Sequence, residues 1–116
     1  MKFSTNPIEQ KSFVFALSVI ETYKQMTKQH EYVLSKQLLR AGTSIGANIQ
    51  EAQAAYSRKE FAAKMSIASK EARETRYWLL LCKYGKLSNL SVDHLITANE
   101  ELIRMLTAIV KSAQSN

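Results

Sequence analysis

Proline occurs once, glycine three times and cysteine once in 116 residues. So few turn-formers exclude a β-sandwich or barrel, in which turn signals recur about every 8–12 residues. A single cysteine, Cys82, excludes an intrachain disulfide. No run approaches the ~18 apolar residues of a membrane-spanning helix. The segment Met1-Lys2-Phe3-Ser4-Thr5-Asn6-Pro7 lacks the apolar core and small-residue cleavage site of a signal peptide, so a cytoplasmic location is expected. Histidine is also scarce. His30 and His94 stand apart from each other and from Cys82, which is not the clustering a zinc or iron site requires. The pair Glu71/Glu74 has i, i+3 spacing but lacks the Glu-x-x-His companions of a di-iron bundle. There is no glycine-rich phosphate loop and no Ser/His/Asp arrangement. The chain reads as a non-enzyme with no metal and no cofactor.

What is present is helical pattern. The composition is 46% hydrophobic and 22% charged, and the length suits one domain, residues 1–116. Asn6-Pro7-Ile8-Glu9 has the N-cap, first-turn proline and capping-box glutamate of a helix start. From there Ile8, Phe13, Phe15, Ala16, Leu17, Val19, Ile20, Tyr23 and Met26 cover close to half the circumference or more, wider than one bundle core needs. The excess points to a second buried contact, most simply with another subunit, the alternative being a helix with a few exposed aromatics. In the next helix Leu34, Leu38, Ala41, Ile45, Asn48 and Ala52 alternate spacings of four and three, the seam of near-parallel helix packing. Ser57-Arg58-Lys59-Glu60 opens a third helix on another capping box, with Phe61, Met65, Ala68, Ala72, Thr75, Leu79 and Cys82 as its seam. Gly85 is expected to supply the left-handed stop. Ser91 is expected to cap a fourth helix, with Val92, Leu95, Ile96, Asn99, Leu102, Ile103, Leu106, Ile109, Val110 and Ala113 on its apolar face and Asp93, Glu100, Arg104 and Lys111 opposite. Residues 114–116 are expected to fray. The expected fold is all-α, an up-down-up-down antiparallel four-helix bundle with helices over 7–28, 32–55, 58–84 and 92–113.

The most unusual stretch is Arg40-Ala41-Gly42-Thr43-Ser44-Ile45-Gly46-Ala47-Asn48-Ile49-Gln50-Glu51. Each interior glycine costs a helix about 1 kcal/mol against alanine, so two of them imply a close neighbour. Arg40, Ser44, Asn48 and Glu51 share one side of this helix. On the seam, an unpaired Asn48 amide would cost about 1–3 kcal/mol, so partners are expected. Together with Glu71 and Glu74 of the third helix, these residues form either a structural polar network or a binding site. A small-molecule site around Asn48 and Glu51 is the weaker form of the latter.

The net charge is +6, and eight of the sixteen basic residues fall between 58 and 86, against only Glu60, Glu71 and Glu74. Arg58, Lys59, Lys70, Arg73, Arg76 and Lys83 lie within a helical arc of roughly 140°, and Tyr77 shares it. Such a strip can track a phosphate backbone, with Tyr77 stacking on a base. Its alternative is a solvated outer face. A basic face also suits an acidic protein partner, which would make the chain a scaffold.

The run Arg40…Ser44-Ile45…Ala47-Asn48-Ile49…Glu51 resembles the core motif of the bacterial four-helix-bundle family also called the S23 or 23S rRNA intervening-sequence protein family. Ser57-Arg58-Lys59-Glu60-Phe61, Ile67-Ala68, Lys70-Glu71-Ala72-Arg73-Glu74-Thr75 and Trp78-Leu79 extend the match in order and spacing. Where the family commonly has glycine after the motif glutamate, this chain has Ala52. The resemblance implies an up-down bundle assembled as a homopentamer, which would account for the broad apolar face of the first helix. It also implies nucleic-acid binding, RNA or DNA. A similar protein, the accessory variability protein of diversity-generating retroelements, works with a reverse transcriptase. A polymerase of that kind is therefore a possible protein partner here.

Overall fold

The computed structural model describes residues 1–115. It contains four helices, α1 (Pro7–Lys28), α2 (Leu34–Gln53), α3 (Arg58–Gly85) and α4 (Asp93–Gln114), and no strand among the described residues. α1 packs on α2, α2 on α3, α3 on α4, and α1 closes the ring on α4 through the thinnest of the four seams. The result is a four-helix bundle of 48 × 27 × 20 Å. Contacts near the ends show that neighbours run antiparallel. Gln50 of α2 bonds Glu9 of α1, and Arg58 at the start of α3 reaches the end of α4.

Local chemistry sets the helix ends. Asn6 accepts from the Ile8 N–H and Pro7 occupies the first turn, so α1 starts where expected. Glu9 does not close a capping box, because its carboxylate accepts from Gln50 instead. Ser57 accepts from the Glu60 N–H, while Glu60 reaches past the cap to the Tyr56 N–H. α2 begins two residues later than expected, at Leu34. The Glu31 carboxylate gathers the N–H groups of Val33, Leu34 and Ser35 and supplies the cap that Val33 itself cannot. Burial pushes the Glu31 pKa up, but the backbone N–H groups of Ser35, Leu34 and Val33 outweigh it and hold the carboxyl below its ordinary range. α2 also ends at Gln53 rather than 55. α3 continues through Gly85, and Lys86 rather than glycine takes the left-handed conformation at φ 52°. Val92, not Ser91, is the N-cap of α4, with the Ser91 hydroxyl 3.4 Å from the Asp93 N–H. At the far end Gln114 remains helical rather than frayed, because Arg58 caps the last turn, and Asn116 lies outside the described residues.

The core is a continuous apolar column that includes Phe15, Val19, Leu38, Ile45, Ile49, Met65, Leu79, Leu95, Leu102 and Leu106. In α2 the seam passes through Ile49 instead of Asn48, which is only half-buried. Burying isoleucine contributes about 1.5–3 kcal/mol, whereas burying an amide costs free energy unless it is paired, so the neighbouring apolar residue takes the core position. The buried amide of the bundle is Asn99 in α4, 0% exposed, whose Nδ2 donates to the Ala72 carbonyl at 3.0 Å. Its Oδ1 has no partner among the described residues. The two α2 glycines face α1. A Cβ on Gly42 would lie 2.9 Å from Val19 Cγ2, and one on Gly46 would lie 3.4 Å from Ser12 Oγ. In α1, Phe13 stacks on Phe3 at 4.2 Å, while Val14 and Leu17 remain exposed on the single chain.

Candidate nucleic-acid interface

α3 carries its basic residues along the flank that borders α4, and the antiparallel packing decides what each one meets. As residue numbers rise along α3, those of its α4 partners fall. Arg58 donates to the carbonyls of Ser112, Ala113 and Ser115 at 2.7–3.0 Å. Those carbonyls are the unsatisfied, partly negative end of α4, so Arg58 acts as its C-terminal cap. Arg73 approaches the Thr107 hydroxyl at 3.4 Å. Arg76 lies 3.5 Å from Glu100 and Lys83 2.9 Å from Asp93. The hydrogen bond to Asp93, then its charge, raises the Lys83 pKa above the ordinary ammonium value.

The sequence-derived strip therefore divides. Arg58, Arg76 and Lys83 are engaged by α4. Lys59, Lys70 and Arg73 are exposed and have no carboxylate partner among the described residues. Tyr77 is exposed on the same face. α4 contributes two cations that the sequence reading placed merely opposite its apolar face, Arg104 and Lys111, both exposed and also without carboxylate partners. They stand one heptad apart, and that spacing was the available signal. Its meaning depended on knowing that this side of α4 adjoins the basic arc of α3.

Between the two rows of cations runs an open cleft. One section, about 550 Å³, is lined by Ser66, Ser69, Arg73, Thr107, Lys111 and Gln114 among others. A second, of about 320 Å³, lies between Arg73, Arg76, Ile103 and Arg104. A third, at the Arg58 end, is lined by Lys59 and Ala63. Hydroxyls and unpaired cations along an open trough suit an extended polyanion rather than an enclosed small molecule.

The other polar strip is assembled differently from the sequence expectation. Arg40 bridges from α2 to α3, pairing with Glu74 and lying 3.5 Å from Glu71. Glu74 also accepts from the Trp78 indole N–H at 3.2 Å. Ser44 and Asn48 do not join this bridge. Each donates to a carbonyl of its own helix, Ser44 to Arg40 and Asn48 to Ser44. A half-exposed amide is satisfied locally and needs no partner across the bundle. Glu51 pairs with Lys64 at 2.9 Å, which raises the Lys64 pKa. Arg40, Glu71, Glu74 and Trp78 thus tie α2 to α3, Glu51 adds a separate α2–α3 pair through Lys64, and Ser44 and Asn48 make contacts only within their own helix.

No group of three or more His, Cys, Asp or Glu could hold a metal ion among the described residues. Cys82 is buried in the core. Burial, followed by the charge of Glu31, pushes its thiol up to about 11, so it is neither a nucleophile nor an accessible redox group. No helix of the described residues is long and apolar enough to cross a membrane.

Fold and surface together define a small all-α bundle with a cationic trough between its last two helices. Residues 5–108 match the model of the 23S rRNA-intervening sequence protein family, and the chain belongs to that family. It is also similar to a solved structure from Bacteroides thetaiotaomicron VPI-5482, a protein of unknown function from the S23 ribosomal protein family. The two share 42% identity over 90% of this chain and 98% of that one, with a TM-score of 0.81. No curated protein matches the chain.

Proposed function

We propose that the chain is a non-catalytic, homo-oligomeric accessory protein that binds RNA or DNA along the α3–α4 face. The observation that carries this reading is the convergence of Lys59, Lys70, Arg73, Arg104 and Lys111 on one side of the bundle without carboxylate partners among the described residues. Arg76 and Lys83 flank them and can exchange their single carboxylate contacts for phosphate. Exposed ion pairs of this kind are screened by solvent and contribute little, so exchange is cheap. From Lys59 to Arg76 the face runs about 26 Å along the axis of α3. Binding is by counterion release, so affinity falls steeply with salt and depends weakly on sequence.

The pentameric assembly that the family resemblance implies would repeat this face around a ring. A chain of net charge +6 would then present a strong field to polyanions. The protein works in the cytoplasm, where such polymers are available. A titration of RNA and of DNA across salt concentrations tests the reading. Log affinity is expected to fall linearly with log salt, with a slope of about −2 to −4.5 if three to five phosphates are neutralised per protomer. Absence of binding to either polymer at low salt contradicts it.

A second reading is supported by exposed apolar residues beside the basic face, Ile67 and Leu81 of α3. In that reading the chain is a scaffold docking an acidic protein, a polymerase such as a reverse transcriptase being one example. A protein partner retained after nuclease treatment favours the scaffold.

A further inference from the structure

Resting on the nucleic-acid reading above, we propose that this face takes unpaired nucleotides, with Tyr77 and Tyr84 as stacking platforms for bases of a single strand whose phosphates lie on Lys70, Arg73 and the α4 cations. Tyr77 is 58% exposed and Tyr84 is 72% exposed. They are seven residues apart, so they share a face of α3, about 10.5 Å apart along its axis. A stacked strand covers that span in about three nucleotides, and an extended one in fewer. Lys59, Ser66, Lys70 and Arg73 occupy the same face, so cations and ring faces follow one another along a single line.

Both rings have supports that do not cover them fully. Tyr77 meets Trp78 edge-on, with centroids 5.4 Å apart and planes at 63°. Lys83 holds its ammonium 5.5 Å from the Tyr84 centroid. Trp78 is in turn fixed by its bond to Glu74, which is held by Arg40. The α2–α3 bridge thereby steadies the first platform.

The class of nucleic acid follows from shape. α3 is packed on both sides, against α2 and against α4, so it is not a lone helix free to enter a major groove about 12 Å wide. In a duplex the base faces are stacked on one another and give an exposed tyrosine nothing to cover. In a single strand every base offers a face, which makes aromatic stacking tolerant of sequence.

Fluorescence anisotropy at one low salt concentration tests this, using an unstructured RNA oligonucleotide, its DNA counterpart and the same sequence as a duplex. The wild-type chain is expected to bind both single strands more tightly than the duplex. The double variant Tyr77→Ala/Tyr84→Ala is expected to lose about tenfold or more on the single strands, with duplex affinity and the salt slope unchanged. Tyr77→Phe/Tyr84→Phe is expected to restore single-strand binding, which separates stacking from loss of fold. Quenching of Trp78 emission by single strands but not by duplex gives an independent readout. Equal or tighter duplex binding by wild type, or an alanine variant that binds single strands like wild type, overturns the inference. In either case Arg73→Glu/Arg76→Glu still reports separately on the basic face. Loss of all polyanion binding in that pair leaves the nucleic-acid reading standing. Failure of the wild-type chain to bind any of the three probes removes both.

Discussion

The two glycines of α2 sit one helical turn apart, yet alanine should act on them in opposite directions. Both substitutions gain about 0.8–1.0 kcal/mol of helix propensity. At Gly42 the new methyl carbon would lie 2.9 and 3.0 Å from the two γ-carbons of Val19. Val19 is fully buried and β-branched, so it has little rotamer freedom with which to retreat. Forcing one methyl group into such a site costs about 1–3 kcal/mol, and the net effect is a loss of about 1 kcal/mol. At Gly46 the nearest atom is Ser12 Oγ at 3.4 Å, an ordinary contact, and the next is a backbone oxygen at 3.6 Å. There the propensity term prevails, for a gain of about 0.5–1 kcal/mol. Denaturant melts of Gly42→Ala and Gly46→Ala at one protein concentration should therefore straddle wild type, with unfolding free energies about 1.5–2 kcal/mol apart. A Gly42→Ala variant as stable as Gly46→Ala would refute the argument that α1 and α2 are in contact limited by Val19.

Three further predictions concern the ends and the core. Glu31→Ala should cost about 1 kcal/mol at neutral pH, because the carboxylate caps α2. The Glu31 pKa is depressed in the folded chain, so its stabilisation is present above the unfolded carboxylate value and is lost as pH falls through the folded one. The gap between wild type and Glu31→Ala should accordingly narrow below about pH 4, and a gap independent of pH counts against the cap. Asn99→Leu removes a buried amide whose Oδ1 has no partner among the described residues, so it should be neutral or stabilising by about 1 kcal/mol, and a large loss in a thermal melt would show an essential polar contact there. Lys86→Gly should stabilise by about 1 kcal/mol by relieving a left-handed lysine, and chemical denaturation checks it.

Most of the bundle was legible because its signals are local. Asn6-Pro7 marks the start of α1, and the seam of α3 from Met65 to Cys82 is buried as its spacing requires. What failed depended on neighbours one position or one helix away. Asn48 and Ile49 are adjacent, and a heptad count accepts either, but desolvation selects the isoleucine. The buried amide proved to be Asn99, which the same apolar pattern had included without distinction. Gly85 was one residue short of the true stop, because the choice between a glycine and the lysine after it rests on how α3 ends against its loop. For the basic face, the arc on α3 could be counted from the sequence, but Arg58 could not be recognised as a cap without knowing where α4 ends. Arg104 and Lys111 likewise gained a role only when antiparallel packing set them across from Arg73.

The central claim is that charge placed along the α3–α4 trough, rather than net charge, binds nucleic acid. The direct measurement compares two variants of equal net charge, Arg73→Glu/Arg76→Glu in the trough and Lys24→Glu/Lys28→Glu on α1, in a single-stranded RNA titration over a range of salt concentrations. The account predicts that the trough variant loses binding and flattens the salt slope by about one unit or more, while the α1 variant shifts affinity only slightly. Equal losses in the two variants would contradict it.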